Sequence, residues 1–145
     1  MKSVGEVMAI GRSFPESIQK ALRSLEIGLD GFDDQTINFN KKKLNKKNIL
    51  SELKKPLADR LLLVAQALRF GKSTKEIHKA SKIDPWFIDQ INRIVVAEKK
   101  LKLNGLPRNS DDLLNIKSLG FSDKKIADLC NVTESKVLSL RYKNN

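Results

Sequence analysis

One histidine, His78, and one cysteine, Cys130, are the side chains in this sequence best suited to covalent or acid–base chemistry. A general base needs an acid or nucleophile lined up with it, and no spacing around His78 supplies one, so a surface or boundary histidine is expected. Cys130 closes an apolar helical stretch, where a small buried packing residue fits better than a nucleophile. A lone cysteine excludes an internal disulfide, and no Cys and His cluster has zinc-ligand spacing. Gly5 and Gly11 lack the spacing of a phosphate loop, and no lysine–serine pair completes one. The acid pairs Asp33–Asp34 and Asp111–Asp112 lie beside turns and helix starts, where capping and the helix dipole account for them. Trp86 and Phe87 could form a base-stacking platform. Aromatics in a first helical turn commonly fold back over the preceding turn, however, and a core anchor is the expectation.

The charge asks a separate question. A net +11 over 145 residues points toward an anionic partner, nucleic acid above all. Seven lysines stand between Lys41 and Lys55 against one acid, Glu52, so over half of the excess is local. That stretch is rich in asparagine and has no arginine for bidentate phosphate contacts, which fits a solvated loop better than a phosphate-binding strip. No run approaches the roughly 18 to 20 apolar residues of a membrane span, and residues 1–12 do not read as a signal peptide. A soluble chain in the reducing cytoplasm, with no membrane partner, is expected.

The elements that would carry these side chains are helical. Residues 1–12 do not read as a helix and suggest a strand or loop belonging to a larger body. Ser13 and Glu16 form a capping box for a helix with Ile18, Ala21, Leu22 and Leu25 on one face and Gly28 as its stop. A short helix near Asn48–Leu53 interrupts the linker that follows. Asp59 is placed to cap a helix ending at Gly71, with Leu61, Val64, Ala65 and Leu68 as its apolar stripe. Ser73 and Glu76 form a second capping box, and Asp84–Pro85 opens a longer helix to about Leu103. Three more follow, started by Asn109 or Ser110, by Ser122 and by Thr133, the last reaching about Tyr142. No alternating strand pattern appears after residue 12. The expected fold is all-α, two related helix-turn-helix-like units preceded by a short non-helical run-in. The expected divisions are 1–12, 13–55 with the lysine-rich linker, and 56–145.

The relation between the two units shows on shifting the chain by 49 positions, which sets Gly71 on Gly120, Ser73 on Ser122, Ile77 on Ile126, Ser81 on Cys130, Asp84 on Thr133 and Ile88 on Val137. The second copy, Gly120–Arg141, has the spacing of a DNA-reading helix-turn-helix. Its pattern is dictated by packing: Ile126 and Ala127 allow close approach, Val132 plugs the turn, and Val137 and Leu140 anchor the second helix. On the outer face only Lys136 and Arg141 offer positive charge, and Glu134 would repel phosphate. A free-standing DNA-binding protein is therefore the secondary reading.

Lys2–Arg12 (K-S-V-G-E-V-M-A-I-G-R) and Ser17–Glu26 (S-I-Q-K-A-L-R-S-L-E) resemble the large chain of carbamoyl-phosphate synthase. So do Ala58–Leu61, Glu76–His78, Lys82–Phe87 (K-I-D-P-W-F) and Leu119–Ala127 (L-G-F-S-D-K-K-I-A), leaving Asn38–Lys55 as the divergent stretch. The resemblance implies that residues 1–12 close the first ATP-grasp unit and that the remainder is the helical oligomerisation domain between the two ATP-grasp halves. It implies a parent ligase that makes carbamoyl phosphate from bicarbonate, glutamine-derived ammonia and two ATP, with Mg or Mn, for arginine and pyrimidine synthesis. Its implied partners are other large chains, the ATP-grasp domains and a glutaminase small subunit. The ATP, metal and bicarbonate ligands of the family lie outside the matched residues, so no catalytic, cofactor or metal residue is carried over, and this segment alone is expected to be inactive. The one residue carried over is Glu6, near the family's internal passage for carbamate.

Overall fold

The computed structural model describes residues 7–34 and 43–143, which hold eight α-helices and no strand. They are α1 (Phe14–Ser24), α2 (Ile49–Leu53), α3 (Arg60–Arg69), α4 (Thr74–Ser81), α5 (Pro85–Asn104), α6 (Ser110–Ser118), α7 (Asp123–Cys130) and α8 (Glu134–Lys143). The all-α expectation holds, and residues 7–12 have no regular structure. Two compact units divide the chain, one formed by Phe32–Val95 and the other by the residues up to Gly31 with those from Val96 onward.

In the Phe32–Val95 unit α3 is the central element. Six consecutive residues, Leu62 to Ala67, are buried, which is the mark of a helix enclosed on every side. The expected stripe is thereby corrected: Val64 and Ala65 are buried, whereas Leu61 and Leu68 at its edges are only half-buried. Helices α2 and α4 pack on α3 and on each other, with Phe32, Ile49, Leu53 and Ile77 fully enclosed. Two arginines at the ends of α3 satisfy carbonyls that helix ends and loops leave open. Arg60 donates to the carbonyls of Leu53 and Ser81, and Arg69 donates to those of Phe32 and Asp33. Asp59 precedes α3 but its side chain makes no capping bond, because its backbone (φ −83°, ψ 7°) is outside the extended conformation that aims a cap at the first turn.

The other unit is closed by α1. Ser13 accepts from the Glu16 N–H at 3.4 Å, but the Glu16 carboxylate reaches the N–H of Arg12 at 2.7 Å rather than that of Ser13, so only half of the expected capping box forms. The helix also stops earlier than Gly28: Leu25 is its cap and Glu26 takes the left-handed turn at φ 55°. Of the expected apolar face only Leu22 is buried; the deepest position is Gln19, with no exposed surface. Its Nε2 donates to the Leu119 carbonyl at 2.9 Å, and the Arg23 guanidinium donates to the Gly120 carbonyl at 2.7 Å. Gly120 has φ +94°, and a Cβ there would lie 2.9 Å from the Glu16 Cα.

The 49-residue repeat is reproduced element by element. Helix α4 and α7 have the same length and offset bounds, each capped by a serine, Ser73 and Ser122. Both end on a left-handed residue, Lys82 at φ 62° and Asn131 at φ 53°. The second helix of each pair starts at the matching residue, Pro85 and Glu134. Ile77 and Ile126, and Ile88 and Val137, are all fully buried, whereas Leu140 is only half-buried.

The matched glycines test how tightly each copy is held. Gly71 (φ +78°) has nothing within 4 Å of an added Cβ, whereas Gly120 meets the α1 backbone. Gly71→Ala is expected to cost about 1 kcal/mol, from backbone conformation alone. Gly120→Ala is expected to cost at least about twice that, because α1 must also be displaced. Thermal denaturation followed by circular dichroism checks the order; equal losses would show that α1 does not seat on Gly120.

Candidate functional site

The side chains that could do chemistry are dispersed. No group of three or more His, Cys, Asp or Glu residues is placed to hold a metal ion among the described residues. Glu6, the residue tied to a carbamate passage, lies outside the described residues. His78 is exposed on α4, and its Nδ1 lies 2.8 Å from the Ile83 carbonyl, so it closes the turn between α4 and α5. Cys130 is half-buried rather than enclosed, with its Sγ 3.8 Å from the Leu101 carbonyl. Burial pushes its thiol pKa up, which disfavours the thiolate form. The acids Asp111 and Asp112 occupy the first turn of α6, where Asn109 accepts from the Asp112 N–H at 2.8 Å.

The basic features are as scattered. Lys43, Lys46, Lys47, Lys54 and Lys55 are exposed, and Lys41 and Lys42 lie outside the described residues. Lys55 pairs with the buried Glu52 at 3.0 Å. The α7–α8 pair has helix-turn-helix geometry, with the Val132 N–H bonded to the Ala127 carbonyl at 3.0 Å across the turn. On its outer face Lys136 is exposed, but Arg141 is paired with Asp123, which also receives Lys117 at 3.0 Å. Partial burial pushes the Asp123 pKa up, yet the hydrogen bonds and charges of Lys117 and Arg141 outweigh it, and the carboxyl ends below its ordinary value. The arginine needed for reading DNA thus holds α8 to the start of α7.

What the molecule does present is apolar surface. Trp86 and Phe87 are not a core anchor: they are 53% and 41% exposed, stacked edge to face with ring centroids 5.0 Å apart. The reason is rotational. Ile88 and Ile91 set the buried side of α5, and Trp86 stands about 200° round the helix from Ile88 at 3.6 residues per turn. Ser135 and Lys136 occupy the matching positions of the second copy, so the aromatics are a departure from the repeat. Val96 and Leu103 on α5, Leu114 on α6, and Leu138 and Tyr142 on α8 are exposed as well. Periodicity measured from Ile88 and Ile91 was the signal that could have placed Trp86 outside.

This arrangement defines a helical scaffold with outward apolar side chains and no assembled reaction centre among its described residues. The chain belongs to the family of carbamoyl-phosphate synthetase large chain oligomerisation domains, whose family model matches residues 6–145. Carbamoyl phosphate synthase large chains of Brucella melitensis and Rhizobium meliloti are each 49% identical to it over 97% of its length. That of Buchnera aphidicola is 46% identical over 100%. The chain spans 12–13% of the length of these curated relatives. No described helix is long and apolar enough to cross a membrane.

The Asp123 cluster carries a pH signature. With a folded pKa below the unfolded one, the stabilisation is complete above the ordinary aspartate value of 3.8 and is lost as the pH falls through the folded value. Asp123→Asn should cost on the order of 1 kcal/mol at pH 7. Urea unfolding of both proteins should show that difference shrinking below the ordinary aspartate range; a gap that widened in acid would contradict the assignment.

Proposed function

We propose that this chain is the segment through which large chains of a carbamoyl-phosphate synthase associate with one another, a scaffold with no catalytic activity of its own. The observation that carries the reading is the match of an oligomerisation-domain family over residues 6–145. Exposed Trp86, Leu103, Leu114 and Tyr142 support it, because large apolar side chains outside a core are the usual material of an interface.

The parent enzyme of this reading is a cytoplasmic ligase that uses ATP with Mg or Mn to make carbamoyl phosphate from bicarbonate and glutamine-derived ammonia, for arginine and pyrimidine synthesis. In this reading ATP and the metal are bound by the ATP-grasp domains of the parent enzyme, outside the residues matched here. Those domains and a glutaminase subunit are its further partners.

Sedimentation velocity over a concentration series tests the reading. The mass should rise reversibly from 16.4 kDa toward twice that value as concentration increases. A single monomeric species at every concentration would overturn it.

A further inference from the structure

The chain contains one Asn–Gly pair, Asn104–Gly105, and it stands at the end of α5. Of the residues that can follow an asparagine, glycine leaves its amide nitrogen the least shielded, because no Cβ stands beside it. Asn104 is exposed, and nothing lies within 4 Å of the position a Cβ on Gly105 would take. The pair therefore has the composition and the open surroundings for asparagine deamidation. The reaction balances with water as its only co-reactant. The Gly105 nitrogen loses its proton and attacks the side-chain carbonyl carbon of Asn104, the new C–N bond closes a cyclic imide, and the side-chain amide nitrogen leaves as ammonia. Water then opens the imide at either of its carbonyls. One product is an aspartate, the other an isoaspartate whose backbone runs through the former side chain and is one methylene longer.

The fold holds that reaction back. The Gly105 N–H donates to the Leu101 carbonyl at 2.9 Å, the bond that closes the last turn of α5. While that bond stands the nitrogen keeps its proton, and the helical backbone of Asn104 holds ψ near about −40°, away from the twist that ring closure needs. The same carbonyl faces the chain's one cysteine, with the Cys130 Sγ 3.8 Å from it. Leu101 itself is fully enclosed. All four residues belong to the unit that contains the chain from Val96 onward. Isoaspartate at position 104 lengthens the backbone inside the closing turn, and either product adds a carboxylate at the negative end of the helix. The turn then loosens, and Cys130 loses the Leu101 carbonyl and part of the burial that disfavours its thiolate.

We propose that Asn104–Gly105 is a deamidation site gated by the last turn of α5, and that its conversion to aspartate and isoaspartate irreversibly opens that turn and uncovers Cys130. The rate is set by fraying of the helix end, which frees the Gly105 nitrogen from Leu101. Asn109, followed by the small Ser110, is placed differently. Its side chain accepts from the Asp112 N–H at 2.8 Å and donates to the Asp112 carboxylate at 2.9 Å, so its amide is engaged in capping α6.

Ageing the whole 145-residue chain at mildly alkaline pH, with tryptic peptide mapping by mass spectrometry, tests it. Trypsin separates the two asparagines, since it cuts after Lys102 and after Arg108. The peptide holding Asn104 should gain the mass of an amide-to-acid exchange well ahead of the one holding Asn109, with isoaspartate among its products. Guanidinium chloride sufficient to unfold the chain should raise the rate about tenfold or more, because the closed turn keeps the reactive form a minority. In the folded chain, the reaction of Cys130 with a thiol reagent should quicken in step with the modified fraction. Asn104→Gln, whose longer side chain would have to close a larger and slower ring, should hold Cys130 at its starting reactivity through the same ageing. Deamidation as fast in the folded chain as in the unfolded one would overturn the gate. Modification of Asn109 before Asn104, or Cys130 reactivity that ignores the modified fraction or rises equally in Asn104→Gln, would overturn the proposal as a whole.

Discussion

The seating of α1 on the turn between α6 and α7 is the constraint that gives the terminal unit its form. Gln19 and Arg23 reach carbonyls 100 and 97 residues further along the chain, and neither bond has a local substitute. Such contacts are costly to form because a long loop must close first, and they repay that cost only where the fit is close. Here the fit is made by an absence. Gly120 has no Cβ, and the Glu16 backbone fills the space that one would occupy. Gly31 does the same on the other side of Gln19, where a Cβ would stand 2.5 Å from the amide oxygen. That oxygen is buried without a hydrogen-bond partner, so Gln19 is held by its Nε2 bond and by packing.

The repeated helix pair shows how one local design serves two settings. Serine cap, eight-residue helix, left-handed turn residue and second helix recur at a fixed offset, since each feature is satisfied within a few residues of itself. What differs is set by the surroundings. The first copy leads into a 20-residue helix, and the second into a 10-residue helix with a single buried residue, Val137. Ser81 is enclosed and its hydroxyl accepts from the Ile83 N–H at 3.1 Å, while Cys130 in the matching place is half-buried against Leu101.

Legibility in the sequence followed the range of the interaction. Ser13, Ser73, Ser122 and Asn109 announce their helices because a cap and its target are three residues apart, and α2 and α5 began close to where Asn48 and Pro85 suggested. Long-range partners left no such mark. A glutamine on an amphipathic helix gives no sign that it will be fully buried, and the stripe expected on α3 assumed a solvent face that α2 and α4 remove. Asp59 looked like a cap by type, but its backbone conformation was decided by the turn before it. The surface aromatics differ for another reason. Residue type alone makes Trp86 a core anchor, but the angle between it and the buried Ile88 places it on the far side of α5.

The division of labour between arginine and lysine explains how a net charge of +11 coexists with an assembly role. Arg23, Arg60 and Arg69 each spend their planar donors on backbone carbonyls, and Arg141 spends its own on Asp123. A guanidinium is suited to this because it keeps several directed donors on a weakly hydrated plane, whereas an ammonium holds its water. The lysines of residues 43–55 remain exposed, where they keep the surface solvated. Phosphate recognition depends most on well-placed arginines, and four of those are built into the fold. The excess charge therefore acts against nonspecific clustering, and leaves association to the few places where apolar side chains stand outside the core.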